Sequence, residues 1–288
     1  EVVLLMAAGM PLYDALVHAF STAGTGGFSN RAASVGAYDS AVIDVIISVF
    51  MLLFSVNFGL YFLVLQKRLR EALKSDELRF FLLVVALATV GITVANLPIY
   101  GDVLNSLRYA FFQVSSIVST TGFATADYVL WPQVAQFILI LLMFMGACAG
   151  STGGGIKSSR VLLLLRAVRR EIRQISHPRL VEVVKLDGKA VDEETLNTVF
   201  VFFTCFFLVL GGTCLVVSLD GFSLTTSCSA ALACISNTGP GLEAVGPLGN
   251  FAAFSSLSKV VLSMAMLVGR LEIFPILILF QPSTWGRN

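Results

Sequence analysis

The sequence has 288 residues, of which 56% are hydrophobic and 13% are charged, whereas soluble domains average about 25% charged residues. Together with a mean hydropathy of +0.86, this composition excludes a soluble globular protein. The 19 basic and 18 acidic residues leave a net charge of +1, which excludes nucleic-acid binding through bulk charge.

The chain begins at Glu1 inside an apolar stretch, with neither an initiator methionine nor a signal sequence. We therefore expect the C-terminal part of a longer membrane protein. Its five cysteines also lie in apolar runs, without a Cys-x-x-Cys pair. This pattern favours small buried apolar residues over disulfides or metal ligands.

Uncharged stretches of the roughly 20 residues that cross a bilayer occur at 45–66, 80–101, 128–156 and 195–219. A fifth candidate, 255–280, carries three charged residues, which are Lys259, Arg270 and Glu272. These stretches predict an all-α membrane protein.

Basic residues cluster in two of the connecting segments. Those between the first two stretches are Lys67, Arg68, Arg70, Lys74 and Arg79. Those after the third stretch are Lys157, Arg160, Arg166, Arg169, Arg170, Arg173, Arg179, Lys185 and Lys189. The positive-inside rule places both segments in the cytoplasm, so the segment 102–128 must begin and end outside.

Within that outer segment, residues 109–126 are uncharged yet cannot cross the membrane without inverting the orientation. Residues 107–118 predict a short amphipathic helix, and the following STTGFATADY has little helix propensity. Irregular backbone at membrane depth survives only inside protein or beside water. The pattern predicts a pore loop that enters and leaves on the same side.

The same pattern occurs three times. Residues 12–20 precede STAGTGGFSN, residues 107–118 precede STTGFATADY, and residues 224–235 precede SNTGPGLEAVG. Alignment of the three loops puts Gly26, Gly122 and Gly239 in register. Repetition of this kind predicts an architecture of repeated units.

The residue types of the loops suit a cation filter. Backbone carbonyls replace the water oxygens of a permeating ion, glycine permits the necessary backbone conformations, and hydroxyls add oxygens. Because no acidic residue lies at the glycines, we expect a monovalent cation. The candidate ion-binding residues are Thr25, Gly26, Thr121, Gly122, Thr238 and Gly239.

A glycine-rich block, GACAGSTGGGIK, interrupts the third stretch. Each glycine costs about 1 kcal/mol relative to alanine in a helix, so Gly153, Gly154 and Gly155 predict a break. Close helix packing through small residues is the alternative. The following RVLLLLRAVRREIRQISHPR suits lipid headgroups, a docked protein or a solvated helix end, and the residues do not separate these.

Six motifs together resemble the TrkH/KtrB/HKT family of potassium transporters, and its TrkH branch most closely. They are STAGTGGFS, STTGFAT, FMGACAGSTGGGIK, ISHPR, SNTGPGL and GRLEIFPILILFQPSTW. The resemblance implies repeated units of membrane helix, re-entrant pore helix with filter loop, and membrane helix around a pseudo-fourfold pore. It also implies a multi-pass protein of the inner membrane, a homodimer, and a cytosolic nucleotide-binding regulatory ring similar to TrkA.

On this resemblance, residues 1–66 are the end of repeat two, 67–175 are repeat three and 176–288 are repeat four, with the first repeat missing. Potassium binds at the filter carbonyls, no cofactor is needed, and the protein is not an enzyme. The implied gate consists of Gly150, Gly153, Gly154, Gly155 and Arg270. A secondary cation-coupled transporter with a broken-helix substrate site at 146–155 is the alternative.

Overall fold

The computed structural model describes residues 1–177 and 182–279, which fold almost entirely into α-helices. In chain order these are α1 (Val2–Ala7), α2 (Leu12–Ala23), α3 (Ala41–Ser55), α4 (Phe58–Leu65), α5 (Leu69–Ala72), α6 (Asp76–Tyr100), α7 (Val103–Val118), α8 (Gln133–Met145), α9 (Ser158–Ser176), α10 (Glu193–Val217), α11 (Leu224–Ile235), α12 (Ser256–Arg270) and α13 (Ile273–Leu279). A short hairpin of β1 (Lys185–Leu186) and β2 (Lys189–Ala190) precedes α10. Arg179 and residues 280–285 of the last motif lie outside the described residues.

The three predicted short helices are confirmed as α2, α7 and α11. Helix α11 occupies the predicted residues 224–235, and the other two extend a few residues further. Each lies between other helices: α7 packs against α3 and α6, and α11 packs against α10 and α12. Most side chains of α7 and α11 are buried, as expected for helices inside a bundle, whereas α2 also exposes Leu12, Tyr13 and Phe20.

Within the described residues, two helices are long and apolar enough to cross a membrane, namely α6 and α10 with its short extension to Asp220. Helices α3 and α4 count as a third crossing when taken together. The outer face of α6 exposes Leu87, Val90 and Val94. Exposed apolar side chains of this kind are what a spanning helix presents to lipid.

The predicted stretch 45–66 is not one straight helix, because α3 and α4 meet at 93°. The bend lies at Val56 and Asn57, where the Asn57 side chain accepts a hydrogen bond of 2.7 Å from the Gly59 amide. An asparagine in this position caps a new helix rather than extending the old one.

The predicted stretch 255–280 is likewise divided, since α12 ends at Arg270 and α13 begins at Ile273. Pro275 explains the division. In a continuous helix its ring would clash with the carbonyl of Leu271, and it has no amide hydrogen for that carbonyl. The chain turns at Glu272 instead, whose φ is 61°.

Candidate functional site

The three short helices end with the same backbone geometry. After α2, the amides of Thr25 and Gly26 donate to the carbonyls of Thr22 and Ser21, at 3.1 and 2.8 Å. This pair of bonds is a Schellman motif, in which the residue after the cap has positive φ. The equivalent residues are Thr25, Thr120 and Asn237, with φ of 50°, 60° and 57°.

A second positive φ follows two residues later in each loop, at Gly27, Gly122 and Gly239, with φ of 68°, 85° and 98°. The predicted register was therefore wrong in the first loop, where Gly27 rather than Gly26 corresponds to the other two glycines. Gly26 corresponds instead to Thr121 and Thr238. The sequence comparison matched the Thr-Gly pairs of the three loops. The hydrogen bonds at the helix ends instead determine which loop residues are equivalent.

Two of these glycines, Gly27 and Gly122, let neighbouring loops lie directly side by side. A Cβ atom added to Gly27 would lie 2.0 Å from the carbonyl oxygen of Thr121, and one added to Gly122 would lie 2.1 Å from that of Thr238. Real Cβ atoms do not approach backbone so closely, so only glycine fits at either position. The three loops consequently form a continuous series in chain order.

The predicted break in the third stretch is confirmed. Helix α8 ends at Met145, and residues 146–157, here called the glycine loop, are irregular up to the start of α9. The glycine loop is attached at the bend between α3 and α4. The Cys148 amide donates to the Ser55 carbonyl at 3.0 Å, and the Phe58 amide donates to the Gly150 carbonyl at 3.1 Å.

The glycine loop lies against the C-terminal ends of all three short helices. The Thr25 hydroxyl donates to the Thr152 carbonyl at 2.9 Å, and the Gly154 amide donates to the Thr120 hydroxyl at 2.6 Å. A Cβ at Gly154 would lie 2.5 Å from the Ser236 carbonyl oxygen. The structure thus brings the predicted filter and gate residues into one site.

Two basic side chains bind successive carbonyls of the glycine loop. Arg270, at the end of α12, donates to the Thr152 carbonyl at 2.8 Å, and the Lys157 ammonium donates to the Gly153 carbonyl. Glu272 accepts from Arg160 on α9 at 2.6 Å, so Arg270 and Glu272 have different partners. Lys157 was missed as a member of this site because the sequence shows it only as the first residue of a basic segment.

A further residue that the sequence did not indicate is Glu77, which is 8% exposed. Its Oε1 accepts from the amides of Ala149 and Ser159, at 2.7 and 3.0 Å. One carboxylate oxygen therefore holds both the glycine loop and the first turn of α9. In the sequence Glu77 resembles an ordinary acidic residue in the first turn of a helix.

The outer ends of the short helices carry carboxylates. Asp14 lies in the first turn of α2, and Asp102 caps α7 by accepting from its first amides. Near the start of α11, hydrogen bonds from the hydroxyls of Ser223 and Thr226 hold the pKa of the Glu243 carboxyl below its usual range. These charges suit the positive ends of the helix dipoles, which leaves the negative ends at the loops.

Comparisons of the sequence and of the structure with known proteins agree on one family. The family model of TrkH, described as a cation transport protein, matches residues 4–286. The Trk system potassium uptake protein TrkH of Salmonella typhimurium is 40% identical over 283 residues, covering 96% of this chain and 58% of that protein. TrkG of Escherichia coli is 38% identical over 282 residues, covering 96% and 57%.

Among solved structures, the crystal structure of the potassium transporter TrkH from Vibrio parahaemolyticus superposes with a TM-score of 0.90 at 35% identity. The match covers 99% of this chain and 62% of that one. The chain thus spans about three fifths of the length of the relatives it matches.

Proposed function

Because the chain belongs to the TrkH family of cation transport proteins, we propose that it forms part of a gated pathway for potassium uptake across the cytoplasmic membrane. The observation that carries this proposal is the series of three equivalent loops in backbone contact at Gly27 and Gly122. Each loop follows the C-terminus of a short helix, and such ends carry partial negative charge.

The proposed ion ligands are the backbone carbonyls of the loops. We retain Thr25, Gly26, Thr121, Gly122, Thr238 and Gly239 from the sequence and add Gly27. The loops expose no carboxylate at these positions, so carbonyl dipoles replace the hydration shell of the ion. Potassium is the permeant ligand in this arrangement, and no chemical step is catalysed.

The proposed gate is the glycine loop, with Gly150, Gly153, Gly154, Gly155 and Arg270. Its contacts with Thr25, Thr120 and Ser236 place it directly at the ends of the three helices. An ion leaving the filter toward the cytoplasm must pass this loop. Arg270 and Lys157 would hold the loop closed through its carbonyls.

Rubidium uptake into liposomes that contain the full-length protein tests the function. A channel-like pathway is expected to take up rubidium when a membrane potential, negative inside, is the only driving force. The cation-coupled transporter would instead require a sodium or proton gradient. Uptake that depends on such a gradient would refute the channel-like pathway.

For the whole protein, we propose three kinds of partner: a second copy in a homodimer, a cytosolic regulatory ring and the surrounding lipid. Arginines of α9 and residues 182–185, which lead into the β-hairpin, line a cavity of about 560 Å³ on the cytoplasmic side. Arg166 pairs with Asp76 at 2.8 Å and Arg173 with Glu182 at 2.9 Å. Acidic partners thus compensate part of this basic face, which suits a protein surface as well as lipid.

Substitution of Gly122 by serine is expected to lower the ratio of potassium to sodium flux by about tenfold, equivalent to a barrier change of about 1.4 kcal/mol. The added Cβ would collide with the Thr238 carbonyl oxygen at 2.1 Å and displace it. Gly221→Ser is the matched control, because Gly221 also has positive φ but no atom within 4 Å of its added Cβ. An unchanged flux ratio in folded Gly122→Ser would contradict the filter assignment.

Substitution of Glu77 by leucine is expected to loosen the glycine loop, because two buried amides lose their acceptor at about 1–3 kcal/mol each. The adjacent Cys148, which is 1% exposed, serves as the probe. Its maleimide labelling rate should rise about tenfold or more, whereas Glu77→Gln, which keeps an acceptor oxygen, should label nearly as slowly as the wild type. Equal labelling of the leucine variant and the exposed control Glu71→Leu would refute the anchoring role.

A further inference from the structure

Two thiols meet at the contact between α10 and α11. The Sγ atoms of Cys214 and Cys228 are 2.9 Å apart, about 0.9 Å longer than a disulfide bond of about 2.05 Å. Cys228 is exposed and Cys214 is partly exposed. The interpretation of all five cysteines as buried apolar residues was therefore wrong for Cys228.

Both thiols lie near the turn that joins α10 to α11. Cys214 is three residues before the end of α10, and Cys228 is four residues after the start of α11. At the helical rise per residue, these separations are about 5 and 6 Å along the helix axes. The connection between the two helices is on the outer side, because the basic segment lies at the other end of α10. Disulfides persist in the oxidising compartment outside the cytoplasmic membrane.

We propose that Cys214 and Cys228 form a disulfide by exchange with a protein disulfide in that outer compartment. The Cys228 thiolate attacks one sulfur of the oxidant and releases its other sulfur as a thiolate. The Cys214 thiolate then attacks the Cys228 sulfur of the mixed disulfide and releases the second oxidant thiolate. The two cysteines lose two protons and two electrons in total, and the oxidant is reduced to a dithiol.

The bond would tie the first half of α11 to α10. Helix α11 leads to the third filter loop through Asn237, Thr238 and Gly239, so the cross-link would fix the outer end of the element that presents this loop. This inference depends on the orientation of the chain and not on potassium transport, so either can fail without the other.

The test uses the full-length protein in membranes treated with N-ethylmaleimide before extraction, which blocks every free thiol. Chymotrypsin cleaves after Phe222, between the two cysteines. Without a reductant, we expect most of the Cys214 and Cys228 peptides to remain linked, and a reductant should separate them. Cys214→Ser should abolish the link, and the matched control Cys205→Ser on the same helix should retain it.

If both cysteines carry maleimide in membranes that received no added oxidant, the proposal is overturned. A link that forms only after a copper oxidant is added would also overturn it. A second readout is heat stability. Reduction should lower the unfolding temperature of the wild type and of Cys205→Ser, but not that of Cys214→Ser. An equal shift in all three proteins would also overturn it, because the stabilising bond would then lie elsewhere.

Discussion

Deletion of Gly153, Gly154 and Gly155 from the full-length protein is expected to raise rubidium flux about tenfold or more when no regulatory partner is present. The reason is that Gly153 and Gly154 pack against the C-terminal ends of α7 and α11, directly before the proposed filter residues. Gly154 binds the Thr120 hydroxyl at 2.6 Å, and a Cβ at Gly153 would lie 3.0 Å from the Ser119 carbonyl oxygen. A tenfold rise corresponds to a barrier lower by about 1.4 kcal/mol.

A milder variant separates this effect from general damage. Thr120→Val removes the acceptor of the Gly154 amide at nearly constant volume, so it should raise basal flux in the same direction by a smaller factor. Gly211→Ala is the control, because Gly211 lies on α10 with no atom within 4 Å of its added Cβ. A folded deletion variant with unchanged or lower flux would favour the packing role of the glycines over a gate.

Much of the helical architecture was predictable because apolar length and turn composition are local properties. The pattern of an uncharged stretch followed by Ser, Thr and Gly located α2, α7 and α11, and the triple glycine located the break after Met145. The bend at Asn57 was not predicted. The Asn57 cap is local, but the Gly150 carbonyl that accepts from the Phe58 amide at the bend is distant in sequence.

The site was predicted in its residue types and less well in its detail. Two adjacent glycines in the first loop made the register ambiguous, and only the hydrogen bonds after α2 select Gly27. Glu77 and Lys157 were missed because their roles arise from amides and carbonyls of a loop that no local pattern places beside them. The break at Glu272, in contrast, was visible in principle from Pro275.

Substitution of Arg270 by glutamine is expected to increase rubidium flux by up to about a hundredfold. Arg270 ends α12 and binds the Thr152 carbonyl at 2.8 Å, which places its charge at the glycine loop. A fixed positive charge about 6 Å from a passing cation, at an effective dielectric constant near 20, opposes it by roughly 3 kcal/mol. That energy corresponds to about a hundredfold in rate.

The charge and the hydrogen bond of Arg270 can be separated by comparing two variants. Arg270→Lys keeps the charge, so its flux should stay near the wild-type level. Arg270→Gln keeps a donor for the Thr152 carbonyl but loses the charge, so its flux should rise. Because Glu272 is paired with Arg160 at 2.6 Å, removal of the Arg270 charge does not leave that carboxylate without its cation. Rubidium flux per folded protein is the measurement, and lower flux with reduced thermal stability in Arg270→Gln would assign Arg270 a structural role instead.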